Sequence, residues 1–209
     1  MKKIKIFLIL SLGLFLSACT VVRIDTKSID NIVNVVLSKD NDLYNRVGKG
    51  YKYYVPRGVN YVDTFELNEK LYSSGNYYYL YIDAVGYFHQ TEVKYEINED
   101  AYFSKAIDNN GRKGYLEITK IDNLYFVEFM YNYSKIEALV NERNLNNTIL
   151  NASYILSTIK FNDNVIELMF NQDYFISRER QYNIFSPNQN TESLSRKWIE
   201  VYTEEEDGY

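Results

Sequence analysis

Side chains able to do chemistry are few and poorly grouped in this chain. His89 is the single histidine and Cys19 the single cysteine in 209 residues. A metal site built on His89 would have to draw its remaining ligands from carboxylates. A Ser-His-Asp relay would also need His89, but no Gly-x-Ser-x-Gly turn is there to present the serine. Carboxylates are the other resource. Glu92, Glu96, Glu99 and Asp100 cluster in sequence, while Glu117 and Glu128 fall in two strand-like runs expected to pair, where they could face each other. Two carboxyls about 5–10 Å apart, one with a raised pKa, are what a glycosidase requires. Charged strand positions more often line a solvated face, so this reading stays an alternative. Asp163 and Asp173 lack the alternating acids and central glycine of a calcium loop. Gly48-Lys49-Gly50 precedes a strand-like run rather than opening a helix, which makes it a turn and not a phosphate cradle. No cofactor and no metal are expected.

The most distinctive internal run is Tyr77-Tyr78-Tyr79-Leu80-Tyr81. Residues 77–88 read as one long strand with Leu80, Ile82, Ala84 and Phe88 on one face. Tyr77, Tyr79, Tyr81 and Tyr87 then fall on the other face and form a possible stacking platform for glycan or peptide. The competing reading buries these rings under a helix. It is favoured, because a long exposed aromatic strip is an aggregation liability. Composition tempers the signal. The chain holds 22 Tyr, 11 Phe, one Trp and only two Pro, and is rich in Asn, Ile and Lys. Those are residues of AT-rich codons, and a low-GC genome accounts for them without invoking function.

The first nineteen residues are more specific. Lys2, Lys3 and Lys5 are followed by an apolar run at 6–16 broken only by Ser11 and Gly13, then by Leu16-Ser17-Ala18-Cys19. A cationic start, a short apolar stretch and small residues before a cut site make an export signal. The run falls short of the about 20 apolar residues needed to span a bilayer. Leu-Ser-Ala-Cys resembles the lipobox of bacterial lipoproteins. That resemblance implies cleavage between Ala18 and Cys19 and a diacylglyceryl thioether on Cys19, the new N-terminus. It also implies a protein held by lipid on the outer leaflet of the cell membrane, facing away from the cytoplasm. Two acyl chains anchor stably where one gives only marginal binding. A lone cysteine leaves no intrachain disulfide, and once lipidated it is no nucleophile.

Without Lys2, Lys3 and Lys5, 20 basic residues face 28 acidic ones. That excess of acid argues against nucleic acid, whose phosphates are neutralised by Lys and Arg. It argues equally against adhesion to anionic lipid. The anchor is left as the link to the membrane.

The elements follow from periodicity. Residues 1–18 are the leader and 19–27 the lipidated tether. Ser28 caps a helix whose Ile29, Ile32, Val33, Val36 and Leu37 share a face, ending near 39–42. A strand at 51–55 stops at Pro56 and Gly58. Residues 61–71 fit neither period, and 73–76 signal a turn. Strands at 102–107 and 114–121 flank Asn109-Asn110-Gly111, a strong hairpin signal. Asp122-Asn123 turns into a strand at 124–133 that bends at Ser134 and runs on through Val140. Leu145, Ile149, Ala152, Leu156 and Ile159 mark a second amphipathic helix, capped by Asn144 or Asn146. Residues 161–170 read either as a short helix capped by Asp163 or as a closing strand. The globular domain is expected over 28–185. A polar, acidic and partly disordered segment is expected over 186–209, with a docked stretch around Trp198.

Helix, antiparallel strands, then helix is an α+β pattern. It predicts a sheet of about five to seven antiparallel strands with an N-terminal and a late helix packed on it. Tyr53-Tyr54-Val55-Pro56-Arg57-Gly58 with Ile155-Leu156-Ser157-Thr158-Ile159-Lys160-Phe161 resembles the PsbP-like domains of bacterial lipoproteins, and a cystatin-like sandwich fits nearly as well. The PsbP-like resemblance implies binding or assembly roles in the envelope, usually without catalysis, and supplies no site residues. The expectation is therefore a non-enzymatic binding or accessory lipoprotein whose partner is an envelope protein or glycan. A carboxylate-dependent glycan hydrolase and a purely protein-interacting lipoprotein are the alternatives.

Overall fold

A computed structural model describes residues 25–171. Cys19, the leader before it, Trp198, and the expected domain end and acidic segment lie outside those described residues. Helix α1 (Ile29–Leu37) opens the described chain. Ser28 caps it, accepting from the Asn31 N–H at 3.2 Å, and its buried stripe is Ile32, Val33, Val36 and Leu37. It stops at Ser38, a residue before the run 39–42 that is rich in Asp and Asn.

The fold is α+β. A small antiparallel sheet contains β1 (Arg46–Gly48), β2 (Tyr51–Tyr53) and β10 (Lys160–Phe161), with β2 in the middle. The main sheet contains β3 (Asn60–Phe65), β4 (Asn68–Ser73), β5 (Asn76–Ile82), β6 (Phe103–Asn109), β7 (Arg112–Ile121), β8 (Leu124–Tyr131) and β9 (Ser134–Asn141). All are antiparallel, in the order β3-β4-β5-β9-β8-β7-β6. After β5 the chain crosses to the far edge and returns as a meander, so β3 and β6 are the two edge strands. Turns of two residues set the registers. Ser74-Gly75, Asn110-Gly111 and Asn132-Tyr133 all have positive φ at both positions, which matches the twist of the flanking strands. The region 61–71, which fits no single period, is the β3–β4 hairpin turning at Glu66-Leu67.

Four expectations are corrected. The strand that starts at Tyr77 ends at Ile82. The Asp83 N–H donates to the Tyr133 carbonyl at 2.9 Å, and the Asp83 carboxylate then accepts from the Gly86 N–H at 2.7 Å, starting α2 (Ala84–His89). This N-cap redirects the chain although its apolar alternation persists. Ser134 is not a bend: Asn132 and Tyr133 reverse the chain, and β9 runs back along β8. The late helix α3 (Glu142–Thr158) starts earlier than its apolar residues suggest, capped by Asn141, which accepts from the Asn144 N–H at 3.1 Å. The stretch 161–170 resolves into the short β10 followed by helix α4 (Asp163–Asn171). Asn162 rather than Asp163 stands at its start, accepting from the Val165 N–H at 3.3 Å.

The core lies between one face of the main sheet and α3. Tyr78, Leu80, Leu116, Val127, Phe129, Ile136 and Ala138 meet Ile149, Ala152, Ile155 and Leu156, all essentially inaccessible. Helix α1 packs on α3, and α3 reaches across β8, β9 and β2. The small sheet is tied to the main one through Glu69 of β4. Its carboxylate accepts from the Arg46 guanidinium at 2.6 Å, from the Tyr53 hydroxyl at 2.5 Å and from the Tyr51 hydroxyl at 2.8 Å. Burial of so polar a group is tolerated because its oxygens are supplied with donors.

Candidate functional site

The sheet face opposite α3 holds most of the buried charge. Register places Lys70, Tyr79, Glu137, Glu128, Glu117 and Ser104 directly opposite one another in turn, from β4 through β5, β9, β8 and β7 to β6. The neighbouring row is Tyr81, Lys135, Met130, Tyr115 and Ala106. Alternation forces this result, because once the turns fix the register these residues of the six strands all meet the same side.

Three glutamates in line would repel if left to themselves. Each is supplied with donors. Lys135 of β9 sits between two of them, 2.6 Å from Glu137 Oε1 and 3.3 Å from Glu128 Oε1, with its side chain 1% exposed. The Tyr115 hydroxyl donates to Glu128 Oε1 at 2.6 Å. Glu117 is held from above by the stretch 90–101, with Tyr95 donating at 2.6 Å and Asn98 Nδ2 at 3.1 Å. The Tyr95 ring stacks on Tyr115, with centroids 4.4 Å apart and an interplanar angle of 3°. Because the Tyr95 proton goes to Glu117, the Ser104 hydroxyl 2.7 Å away donates to Tyr95. Lys135 also lies 5.6 Å from the Tyr81 ring centroid, within cation–π range. Burial, then the charge and hydrogen bond of Glu128, pushes the Tyr115 hydroxyl well above its ordinary pKa. Burial, then the hydrogen bond to Glu117, raises Tyr95 likewise. Both phenols therefore stay protonated and act as fixed donors, not as bases.

The expected pairing of Glu117 with Glu128 is thus present in the register. What the pair can do is limited by its partners. Glycoside cleavage needs one carboxyl free to give a proton and a second open to sugar or water. Here phenols, an amide and an ammonium engage both carboxylates, and Glu128 is buried. Among the described residues no three His, Cys, Asp or Glu side chains come together in a way that could hold a metal ion.

The remaining expected site residues are dispersed. Tyr77, Tyr79 and Tyr81 share the face described above. Tyr77 is half-buried and carries the Lys70 ammonium 4.0 Å from its ring centroid, whereas Tyr79 and Tyr81 are buried. Tyr87 does not belong with them, because the strand has already ended. It projects from α2, stacks on Phe161 at 4.0 Å and donates to Asp163 Oδ1 at 2.6 Å. Partial burial and that hydrogen bond raise its pKa to about 12. His89 ends α2, where a histidine suits the negative pole of a helix. It is exposed and meets Phe88 and Phe170 edge-on. Glu92, Glu96, Glu99 and Asp100 are exposed in the stretch that carries Tyr95, and Glu92 pairs with Lys113 at 3.4 Å.

Sequence reasoning missed Lys135, Glu137, Tyr95 and Tyr115. A hairpin at Asn132-Tyr133 was the available signal for the first two, since it brings Glu137 opposite Glu128. Tyr95 sits in a stretch without periodicity, and its place over Tyr115 is set by tertiary structure alone. Compared with protein-family models, curated proteins and solved structures, the chain matches none of them.

Proposed function

We propose that this chain is a lipid-anchored binding protein on the outer face of a bacterial cell membrane, without catalysis of its own. The observation that carries the reading is Leu16-Ser17-Ala18-Cys19 behind a cationic start and a short apolar run. Helix α1 begins at Ile29, so a tether of nine residues links it to Cys19 and reaches about 30 Å when extended. The domain would then stand close to the lipid surface, where a partner in the envelope, protein or glycan, can meet it. No helix among the described residues is long and apolar enough to cross a membrane. Support for a non-catalytic role comes from the carboxylates. Those that face one another are bound to phenols and to Lys135, an arrangement that braces a sheet and does not transfer protons.

Detergent-phase partitioning of the full chain and of Cys19→Ala tests the reading. The expected result is the native chain in the detergent phase and the variant in the aqueous phase. A Cys19→Ala chain that stays with the detergent would overturn it.

A further inference from the structure

We infer that strand β6 is a strand-addition site: the groove between it and α1 takes an extended, basic polypeptide segment with apolar side chains at alternate positions. The inference deepens the reading above and rests on the chain being a binding protein.

The backbone makes the case first. β6 is a sheet edge. Asn110 and Gly111 form a two-residue turn with φ of 54° and 82°, so Asn109 and Arg112 flanking it form a hydrogen-bonded pair. Alternation then directs the N–H and C=O groups of Ile107 and Lys105 to β7. Those of Ala106 and Asp108 point outward. Both residues are exposed, and no backbone or side-chain partner meets those outward groups among the described residues. An extended chain is the natural complement of such an edge.

The side chains supply the second half. A groove of about 210 Å³ runs between α1 and β6, with Val33 and Leu37 on one wall and Ile107 and Lys105 on the other. Helix α1 is pinned along the strand and not free to close on it. Lys105 Nζ donates to Asp30 and, at 2.8 Å, to Asn34 Oδ1, and Asn109 Nδ2 donates to the Leu37 carbonyl. An added strand would lay every second side chain over Val33, Leu37 and Ile107, on the same face as Ile107 and Lys105, with Asn34, Ser38 and Asn109 as polar neighbours. The opposite side chains would lie beside Asp108. The acids at the rim, Asp30, Asp40 and Asp108, are exposed, with Lys105 and Arg112 against two of them. Together with 20 basic against 28 acidic residues from Cys19 on, that rim favours a basic segment and disfavours a second copy of this acidic chain.

The test titrates the full chain, purified in detergent, with a short labelled peptide alternating Val with Lys and Thr, and follows hydrogen exchange of β6. The expected result is saturable binding with slowed exchange at Ala106 and Asp108. Ala106→Pro removes only an outward N–H, a place where edge strands accept proline, and should weaken the peptide at least about tenfold. Asp108→Lys should weaken the basic peptide and favour one alternating Val with Glu. It decides the matter if Ala106→Pro fails to fold. No binding, protection confined to β3, or indifference to both substitutions would overturn the proposal. So would a dimer that Ala106→Pro converts to monomer without any peptide binding, since the occupant would then be a second copy. Cys19→Ala should bind the peptide unchanged, so failure of the groove and failure of the anchor are read separately.

Discussion

Lys135 is the residue on which the polar face depends most. It is a primary ammonium with no exposed surface to speak of, held between Glu128 and Glu137. Such a group does not add much stability over an apolar replacement of the whole cluster, but removing one member leaves charge buried without its counterpart. Lys135→Met is therefore expected to cost about 3–5 kcal/mol in urea unfolding. Glu128→Gln and Glu137→Gln added to it should recover much of the loss. A single Lys135→Met that unfolds like the native chain would show that the network is not desolvated as described. At this scale the sequence was partly readable. Glu117 and Glu128 sit at matching distances from the Asp122-Asn123 turn, and that spacing alone puts them opposite each other. Apart from Tyr115 of β7, their partners come from β9 and from the stretch 90–101, whose positions depend on a turn without a glycine and on a segment without periodicity.

Among the elements, local signals succeeded where a residue type was tied to a backbone shape. Ser28 as cap, Asn110-Gly111 as turn and the amphipathic stripes of α1 and α3 are of this kind. They failed where two shapes suit the same letters. Ala84 and Phe88 continue the alternation of β5, yet the Asp83 cap makes them helical. Asn132-Tyr133 carries no glycine, so its left-handed turn is set by the pairing of β8 with β9 and not by local preference. Gly114 is an element-scale test of the same pairing. A Cβ there would press on the Met130 carbonyl oxygen and lie 2.8 Å from Tyr131 Cα, both backbone atoms of β8 that cannot turn away. Gly114→Ala is expected to cost about 1–3 kcal/mol, read as a lowered unfolding midpoint with unchanged urea slope. A variant as stable as the native chain would contradict the β7–β8 register.

Taken whole, the molecule is unusually dependent on un-ionised tyrosine. Burial raises the hydroxyls of Tyr51, Tyr53, Tyr95, Tyr115, Tyr131 and Tyr133, with a neighbouring carboxylate adding to it in each case. A folded pKa above the unfolded value of about 10 means that the native state keeps protons the unfolded chain gives up. This stability is fully present below about pH 10 and is lost as pH rises beyond it, by at most about 1.4 kcal/mol per pH unit for each buried tyrosine. Tyrosinate absorbance of these groups should thus appear together with unfolding. Complete ionisation near pH 10 with the fold intact would contradict the packing described.

The proposed anchor belongs to this scale as well, since it would decide where every other surface works. The expectation for Cys19 rests on sequence alone, because export signals are read in extended form and need no fold, and Cys19 lies outside the described residues. The proposed groove was not legible, because edge strands and grooves exist only after β6 and α1 have been brought together from positions far apart in the chain. In the proposed lipoprotein, Cys19 carries diacylglycerol and begins the mature protein. Intact mass of the chain purified from bacterial membranes tests it most directly. The expected result is loss of residues 1–18 and a diacylglyceryl addition that maps to Cys19. A mature N-terminus elsewhere, or an unmodified Cys19 thiol, would contradict it.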